Sequence, residues 1–170
     1  SSFGKVQGCS LRLGGDRFDE LIMQYMRRAY SLMIDETTAE EVKKEIGSVC
    51  SGGEEREMLV HGRCMHEGLA RSQAVTAEEV RQVLSRAVDE IVTAFRTCLA
   101  SMPPKLITSV AQRGIVLTGG GALLRGLDCR LSEETRMKVS IADDPLTCVA
   151  RGCGVLLDRM DDFAGMYQSE

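Results

Sequence analysis

Residues 113–128 have the sequence RGIVLTGGGALLRGLD, with three consecutive glycines between two apolar patterns. The run 115–117 is β-branched and aliphatic, which predicts a short buried strand. Apolar residues then recur at helical spacing over 122–127, so a helix is predicted directly after the glycines. The stretch indicates a strand, a glycine turn and a helix in succession, which is typical of α/β proteins.

Gly119, Gly120 and Gly121 form the predicted turn. Without side chains they let a ligand approach the backbone, and the first N–H groups of a following helix suit an anion such as phosphate. A tight strand-to-helix turn explains the same glycines without any ligand. No GxxxxGK[ST] motif is present, and the GxGxxG pattern fails because Leu124 stands at its last glycine. A phosphate site here must therefore be completed by residues elsewhere in the chain.

The composition is that of a globular protein. The 170 residues are 44% hydrophobic and 27% charged. This length is enough for one domain or two small lobes that share a core. The net charge is −4 and the basic residues are dispersed, which argues against a nucleic-acid surface. No apolar run approaches the roughly 20 residues of a membrane span, and no secretory signal is visible.

The cysteines predict reduced, mostly buried thiols rather than a disulfide framework. Their number is odd and no CxxC pair occurs, so a zinc site is not predicted. His61 and His66 lack ligand spacing and are interpreted as surface residues of a hairpin. The seven cysteines are Cys9, Cys50, Cys64, Cys98, Cys129, Cys148 and Cys153.

Helical spacing predicts three helices in the first hundred residues. The first covers 16–34 and is capped by Asp16, and the second covers 37–47 with a capping box from Thr37 or Thr38 and ends at Gly47. The third and best covers 76–102, with Thr76 and Glu79 as its capping box.

The remaining segments predict strands and shorter helices. We expect two short strands over 1–15, a hairpin around Gly62 and a strand over 138–142. Two further helices are predicted, one over 104–114 and one that Asp144 and Pro145 open.

Glu40 and Lys43 lie three residues apart on the second predicted helix, so their side chains emerge on one face. A carboxylate and an ammonium there could hold a ribose hydroxyl and the edge of a base. The alternative is an exposed ion pair within the helix, worth about 0.3–0.5 kcal/mol. No nucleophile, base or paired carboxylates stand out, so no catalytic residue and no metal ligand are predicted.

Three stretches resemble the MreB-type bacterial actins, over about 10–159. They are GGDRFDELIMQYMRRAYSLMIDETTAEEVKKEIGS, the glycine stretch above, and EETRMKVSIADDPLTCVARGCG. The resemblance implies an α/β fold, an actin-like and ribonuclease H-like ATPase lobe with a small α+β insertion subdomain. It implies a core subdomain of 1–34 and 101–170, and an insertion over 35–100 whose long helix returns to the core. The chain would be the C-terminal lobe, with a partial sheet whose first strand lies upstream.

The resemblance also implies a nucleotide site, with ATP and Mg²⁺ as cofactors of the full-length protein. Gly119, Gly120, Gly121 and Ala122 would border the nucleotide, and Glu40, Glu41, Val42 and Lys43 would line its adenosine end. The family usually has arginine where Glu41 stands and glycine where Cys153 stands.

The function implied is that of a filament-forming cytoskeletal protein that organises cell-wall synthesis and rod shape. Its expected partners are further copies of itself, cell-wall elongation proteins and membrane-associated morphogenesis proteins. We expect it in the cytoplasm, associated with the membrane as filaments through the other lobe. The full-length protein is expected to be an ATPase and this lobe alone to be inactive. The alternatives are a chaperone ATPase domain or sugar kinase of the same fold, and a docking module that binds no nucleotide.

Overall fold

The computed structural model describes residues 14–49 and 56–158. The strands predicted within 1–15 lie almost wholly outside these residues, as do Cys9 and Cys50. In chain order the elements are α1 (Gly15–Tyr30), β1 (Leu32–Met33), α2 (Glu36–Ile46), β2 (Glu57–Cys64), β3 (Ala70–Thr76), α3 (Ala77–Ala100), α4 (Pro104–Arg113), β4 (Ile115–Leu117), a 3₁₀ helix (Gly120–Leu123), α5 (Leu127–Thr135), β5 (Val139–Ile141) and α6 (Cys148–Asp158).

Helix α1 is shorter than its apolar pattern predicts. It ends at Tyr30 because Ser31 adopts a left-handed conformation with φ 51°, and the Ser31 N–H donates to the carbonyl of Met26. The chain then continues as β1, which pairs antiparallel with β2. The predicted cap is also wrong: Gly14 occupies the N-cap position, and no side chain caps the helix.

Strands β1, β2 and β3 form an antiparallel sheet in that order. The predicted hairpin exists, but Gly62 lies within β2 and the turn follows Cys64, with Gly68 at φ 71°. Gly62 has a different role, because a Cβ there would lie 2.5 Å from the carbonyl oxygen of Met33 in β1. The glycine lets the short strand β1 approach closely. His61 and His66 are exposed on this hairpin, as predicted.

The residues that cap α2 and α3 differ in how well the sequence predicts them. Asp35 caps α2 by accepting from the Thr38 N–H at 2.8 Å, so the capping boxes predicted from Thr37 and Thr38 are wrong. Gly47 ends α2 as predicted. The predicted capping box of Thr76 and Glu79 is confirmed at the start of α3.

Glu79 also joins α3 to α1. Its Oε1 accepts from the hydroxyl of Tyr25 at 2.6 Å and from the hydroxyl of Tyr30. Burial alone would raise the pKa of Glu79, but the hydrogen bonds from Tyr25, Tyr30 and Thr76 outweigh burial and lower the pKa to about 2. The ionised carboxylate is therefore the form that the fold stabilises.

A pH dependence of stability follows from Glu79. Its pKa is lowered from an ordinary 4.5 to about 2, so its contribution is complete above pH 4.5 and is lost as the pH falls toward 2. We expect Glu79→Gln to lower the free energy of unfolding at pH 6, by an amount that shrinks toward pH 3. Urea unfolding at both pH values measures this difference. The control is Glu90→Gln on the exposed face of α3, and a Glu79→Gln effect independent of pH would contradict the assignment.

The second half of the chain forms a parallel pair of strands with helices. Strands β4 and β5 pair from Ile115 with Val139 to Leu117 with Ile141. The helix predicted directly after the glycines is wrong in detail, because a 3₁₀ helix comes first and α5 begins only at Leu127. Likewise α6 begins at Cys148, after a turn in which the Cys148 N–H donates to the Asp144 carbonyl at 3.0 Å. The parallel pair, the antiparallel sheet and the helices together confirm the α/β class.

One buried apolar cluster joins these elements. It runs from α1 through the antiparallel sheet and α3 to α5, and it includes Phe18, Ile22, Leu84 and Leu131. Within the described strands β4 pairs with β5 alone, in keeping with the predicted partial sheet. No helix of the described residues is long and apolar enough to cross a membrane.

The cysteines are less buried than predicted. Of the five that the structure describes, Cys64 is buried, Cys98 and Cys148 are partly buried, and Cys129 and Cys153 are exposed. The two exposed thiols lie on α5, whose buried residues are Leu127 and Leu131, and on α6, which has no buried residue among those described.

Candidate functional site

A cavity of about 530 Å³ lies between the start of α1, helix α2 and the glycine turn. It brings together four of the predicted site residues, which come from two segments distant in the sequence. Those four are Glu40, Lys43, Gly120 and Gly121.

The glycine turn offers two backbone amides to this cavity. Gly119 has φ 82° and its N–H donates to the Pro145 carbonyl at 2.6 Å, so that amide is already used. The Ala122 N–H donates to the Gly119 carbonyl at 3.1 Å. The N–H groups of Gly120 and Gly121, by contrast, have no acceptor among the described residues. Two adjacent amides without acceptors are the arrangement that binds anions.

The space around the two glycines is open. Among the described residues, a Cβ on Gly121 would meet no atom within 4 Å, and one on Gly120 would meet only the Leu146 side chain at 3.7 Å. Internal packing therefore does not require glycine at these positions.

Lys43 is held by a residue that its helical spacing does not indicate. Its Nζ donates to Oδ2 of Asp19 at 2.7 Å and lies 3.4 Å from the Gly15 carbonyl oxygen. Only 15% of the Lys43 side chain and 6% of the Asp19 side chain are exposed. The alternative interpretation, an exposed ion pair of Lys43 with Glu40, is therefore wrong.

Glu40 has a separate partner. Its Oε1 lies 2.9 Å from Nζ of Lys44, one turn further along α2. The hydrogen bond from Lys44 lowers the pKa of the Glu40 carboxyl, and the charge of Lys43 adds a smaller effect. Glu40 is thus an ionised carboxylate at the rim of the cavity.

Asp19 is the site residue that sequence reasoning missed. It lines the cavity, and its Oδ1 is buried with no hydrogen-bond partner among the described residues. A signal was present in the sequence, because Asp19 lies three and seven residues before Ile22 and Met26, on the apolar face of α1. A carboxylate on a buried helix face is unusual unless it is paired.

The arrangement can bind a ligand, and the described residues that line the cavity form no recognisable catalytic group. No group of three His, Cys, Asp or Glu side chains suited to a metal ion occurs in the described part of the chain. Gly120 and Gly121 on one wall have amides without an acceptor among the described residues, and the other wall carries carboxylates and ammonium groups. It suits a ligand with an anionic end and a polar, uncharged end.

Comparison with known proteins identifies the family. The family model described as "MreB/Mbl protein" matches residues 1–165. The chain belongs to the MreB/Mbl family. The resemblance found in the sequence is thereby confirmed.

Individual relatives agree with this assignment. The cell shape-determining protein MreB of Escherichia coli K12 is 48% identical over 167 residues, 98% of this chain and 48% of the relative. The crystal structure of MreB 5 of Spiroplasma citri bound to AMPPNP has a TM-score of 0.83 at 33% identity, over 91% of this chain and 46% of that one. A MamK double helical filament has a TM-score of 0.74 at 24% identity, over 88% and 46% of the two chains, and shows the same fold.

These matches confirm the actin-like fold class of the chain. The chain spans about half the length of the relatives that it matches. What the whole MreB/Mbl protein does is therefore a matter for proposal.

The remaining residues predicted from the MreB/Mbl resemblance are not among those that line the cavity. Val42 is fully buried and packs in the core, and Glu41 is exposed. Ala122 is buried and faces a separate apolar cavity. Gly119 precedes the two lining glycines.

Proposed function

We propose that this chain is the C-terminal lobe of an ATP-binding, filament-forming cytoskeletal protein that organises cell-wall synthesis and rod cell shape. The observation that carries the proposal is the meeting of the Gly120 and Gly121 amides with Lys43 and Glu40 around one cavity. Membership of the MreB/Mbl family supports it. So does the AMPPNP bound to the Spiroplasma citri relative.

The residues present fit a nucleotide. The amides of Gly120 and Gly121 would hold phosphate oxygens, and Gly119 and Ala122 would fix the turn that presents them. Lys43 and Glu40 would line the adenosine end, while Val42 anchors this part of α2 in the core and Glu41 flanks it. Bound Mg²⁺ would neutralise phosphate charge, and we assign it no ligand from this chain.

The working output that we propose is self-association into filaments, for which the MamK filament is a precedent of the same fold. The cytoplasm, with filaments associated with the membrane, is the proposed location. Cell-wall elongation and morphogenesis proteins are the proposed partners. We retain the proposed division into a core subdomain of 1–34 and 101–170 and an insertion over 35–100. Strands β2 and β3 lie in the insertion and β4 and β5 in the core, which supports the division, while β1 at the end of the first core segment pairs with β2 of the insertion.

ATP titration into the full-length protein tests the proposal, with light scattering to follow assembly. We expect saturable ATP binding and assembly that depends on ATP. Assembly without any nucleotide binding would favour a docking module. Phosphorylation of a sugar, or ATPase activity that depends on a peptide, would favour another enzyme of the actin-like fold.

The isolated chain of 170 residues is expected to have negligible ATPase activity and weak nucleotide affinity. Transition-state stabilisation in phosphoryl transfer needs charged groups and metal on all sides of the phosphates, whereas this cavity offers the phosphates only the amides of Gly120 and Gly121 among its described residues. Phosphate release from the purified chain, compared with the full-length protein, measures this. Turnover by the isolated chain that survives repeated purification would contradict the prediction.

A further inference from the structure

The pair of Asp19 and Lys43 is unusual for a buried ion pair. Replacing such a pair by well-packed apolar residues is often neutral or stabilising, so stability alone is a weak reason for keeping it. Here the carboxylate is also incompletely satisfied, because Oδ1 has no donor among the described residues. A buried acceptor without a partner calls for an explanation beyond packing.

The pair lies at the wall of the cavity rather than in the centre of the core. Lys43 and Asp19 both line the cavity. The ammonium has three hydrogens, and the described residues offer it two acceptors, Oδ2 of Asp19 and the carbonyl of Gly15. As far as the described residues go, one donor of Lys43 has no acceptor and could bind a ligand.

The charges of the cavity are unevenly distributed. The wall formed by α1 and α2 holds four carboxylates and two ammonium groups, a net charge of −2. The wall that contains Gly120 and Gly121, here called the glycine wall, has no charged side chain. The negative net charge of the α1 and α2 wall repels phosphate. The glycine wall instead has two amides without acceptors among the described residues. The charged side chains of the first wall are Asp16, Asp19, Glu36, Glu40, Lys43 and Lys44.

We propose that Asp19 is the positioning residue that decides which end of the ligand this wall accepts. Its carboxylate neutralises the Lys43 ammonium and holds it in place, so that Lys43 donates a hydrogen bond to an uncharged part of the ligand and does not attract phosphate. The inference rests on the proposed nucleotide function and deepens it, because it names what selects the nucleoside end. Without Asp19, Lys43 would be an uncompensated cation beside the cavity, and the net charge of the wall would change from −2 to −1, which weakens its repulsion of anions.

The test compares two probes, adenosine and inorganic tripolyphosphate, on the full-length protein and its Asp19→Asn variant. Asparagine keeps the size and one acceptor but removes the charge. We expect adenosine affinity to fall about tenfold, because Lys43 is held less firmly, and tripolyphosphate affinity to rise about fivefold. Opposite changes for the two probes are the signature, since a purely structural role of Asp19 would weaken both.

The matched control is Glu20→Gln. It removes one negative charge from the same helix, but its side chain is 54% exposed and does not line the cavity. We expect both affinities to stay at the wild-type value. A similar rise in tripolyphosphate affinity in this control would show a general charge effect and overturn the inference.

A melting curve without ligand shows whether Asp19→Asn folds. If it does not fold, a second variant keeps the test decisive. Asp19→Asn combined with Lys43→Met leaves no unpaired charge at the wall. We expect it to lose adenosine affinity about tenfold and to gain none for tripolyphosphate. Wild-type adenosine affinity in that variant overturns the inference. If the wild-type protein binds no ATP, the proposed function is wrong as well. If it binds ATP but the variants do not behave as expected, only the inference about Asp19 is wrong.

Discussion

Replacing Lys43 by alanine is expected to lower the free energy of unfolding of the ligand-free protein by about 3–5 kcal/mol. Lys43 is the strong hydrogen-bond partner of Asp19, at 2.7 Å, and the Asp19 side chain is only 6% exposed. Removal of the ammonium leaves a buried carboxylate without a compensating charge, and such a loss costs far more than that of a surface pair. Urea unfolding of the full-length variant beside the wild type measures the change.

Lys44→Ala is the control for this prediction. Lys44 is the next residue on the same helix and pairs with Glu40, but its side chain is 64% exposed. Solvent screens that pair, so the unfolding transition should hardly move. If Lys43→Ala were as mild as Lys44→Ala, then water would reach Asp19 and the pair would not be buried in solution.

The features that the sequence predicted well depend on local interactions. Helix α3 begins where Thr76 and Glu79 predict it, because a capping box is formed by residues three apart and needs no other part of the chain. The glycine turn after β4 was found for the same reason. Gly119 adopts φ 82°, a conformation that glycine takes without strain.

The errors arise where distant segments decide the structure. The apolar pattern of α1 continues through Leu32, yet Leu32 belongs to β1 because it pairs with Cys64 of β2. Helical spacing allowed an ion pair of Lys43 with Glu40. The packing of α2 against α1 instead brings Asp19, 24 residues away, to within hydrogen-bond distance of Lys43. A carboxylate on the apolar face of α1 was the single local sign of that contact.

Replacing Gly120 by valine is expected to reduce ATP affinity at least about a hundredfold and to abolish ATP-dependent assembly. Gly120 and Gly121, whose amides have no acceptor in the part of the chain that the structure describes, line the cavity, and we expect an isopropyl group there to fill the approach to them. Loss of two hydrogen bonds to a charged phosphate, at about 1.5–3 kcal/mol each, gives this magnitude. Titration with a fluorescent ATP analogue, beside light scattering, measures both effects.

The fold should tolerate this valine, which makes the prediction specific to the ligand. A Cβ on Gly120 would lie 3.7 Å from Leu146, an ordinary contact, and the left-handed glycine of the turn is Gly119 instead. The control is Gly152→Val on the exposed face of α6, where a Cβ meets nothing within 4 Å. It should bind ATP like the wild type. If Gly120→Val also kept wild-type affinity, the glycines would serve only the tight turn between β4 and α5, and the phosphate assignment would be withdrawn.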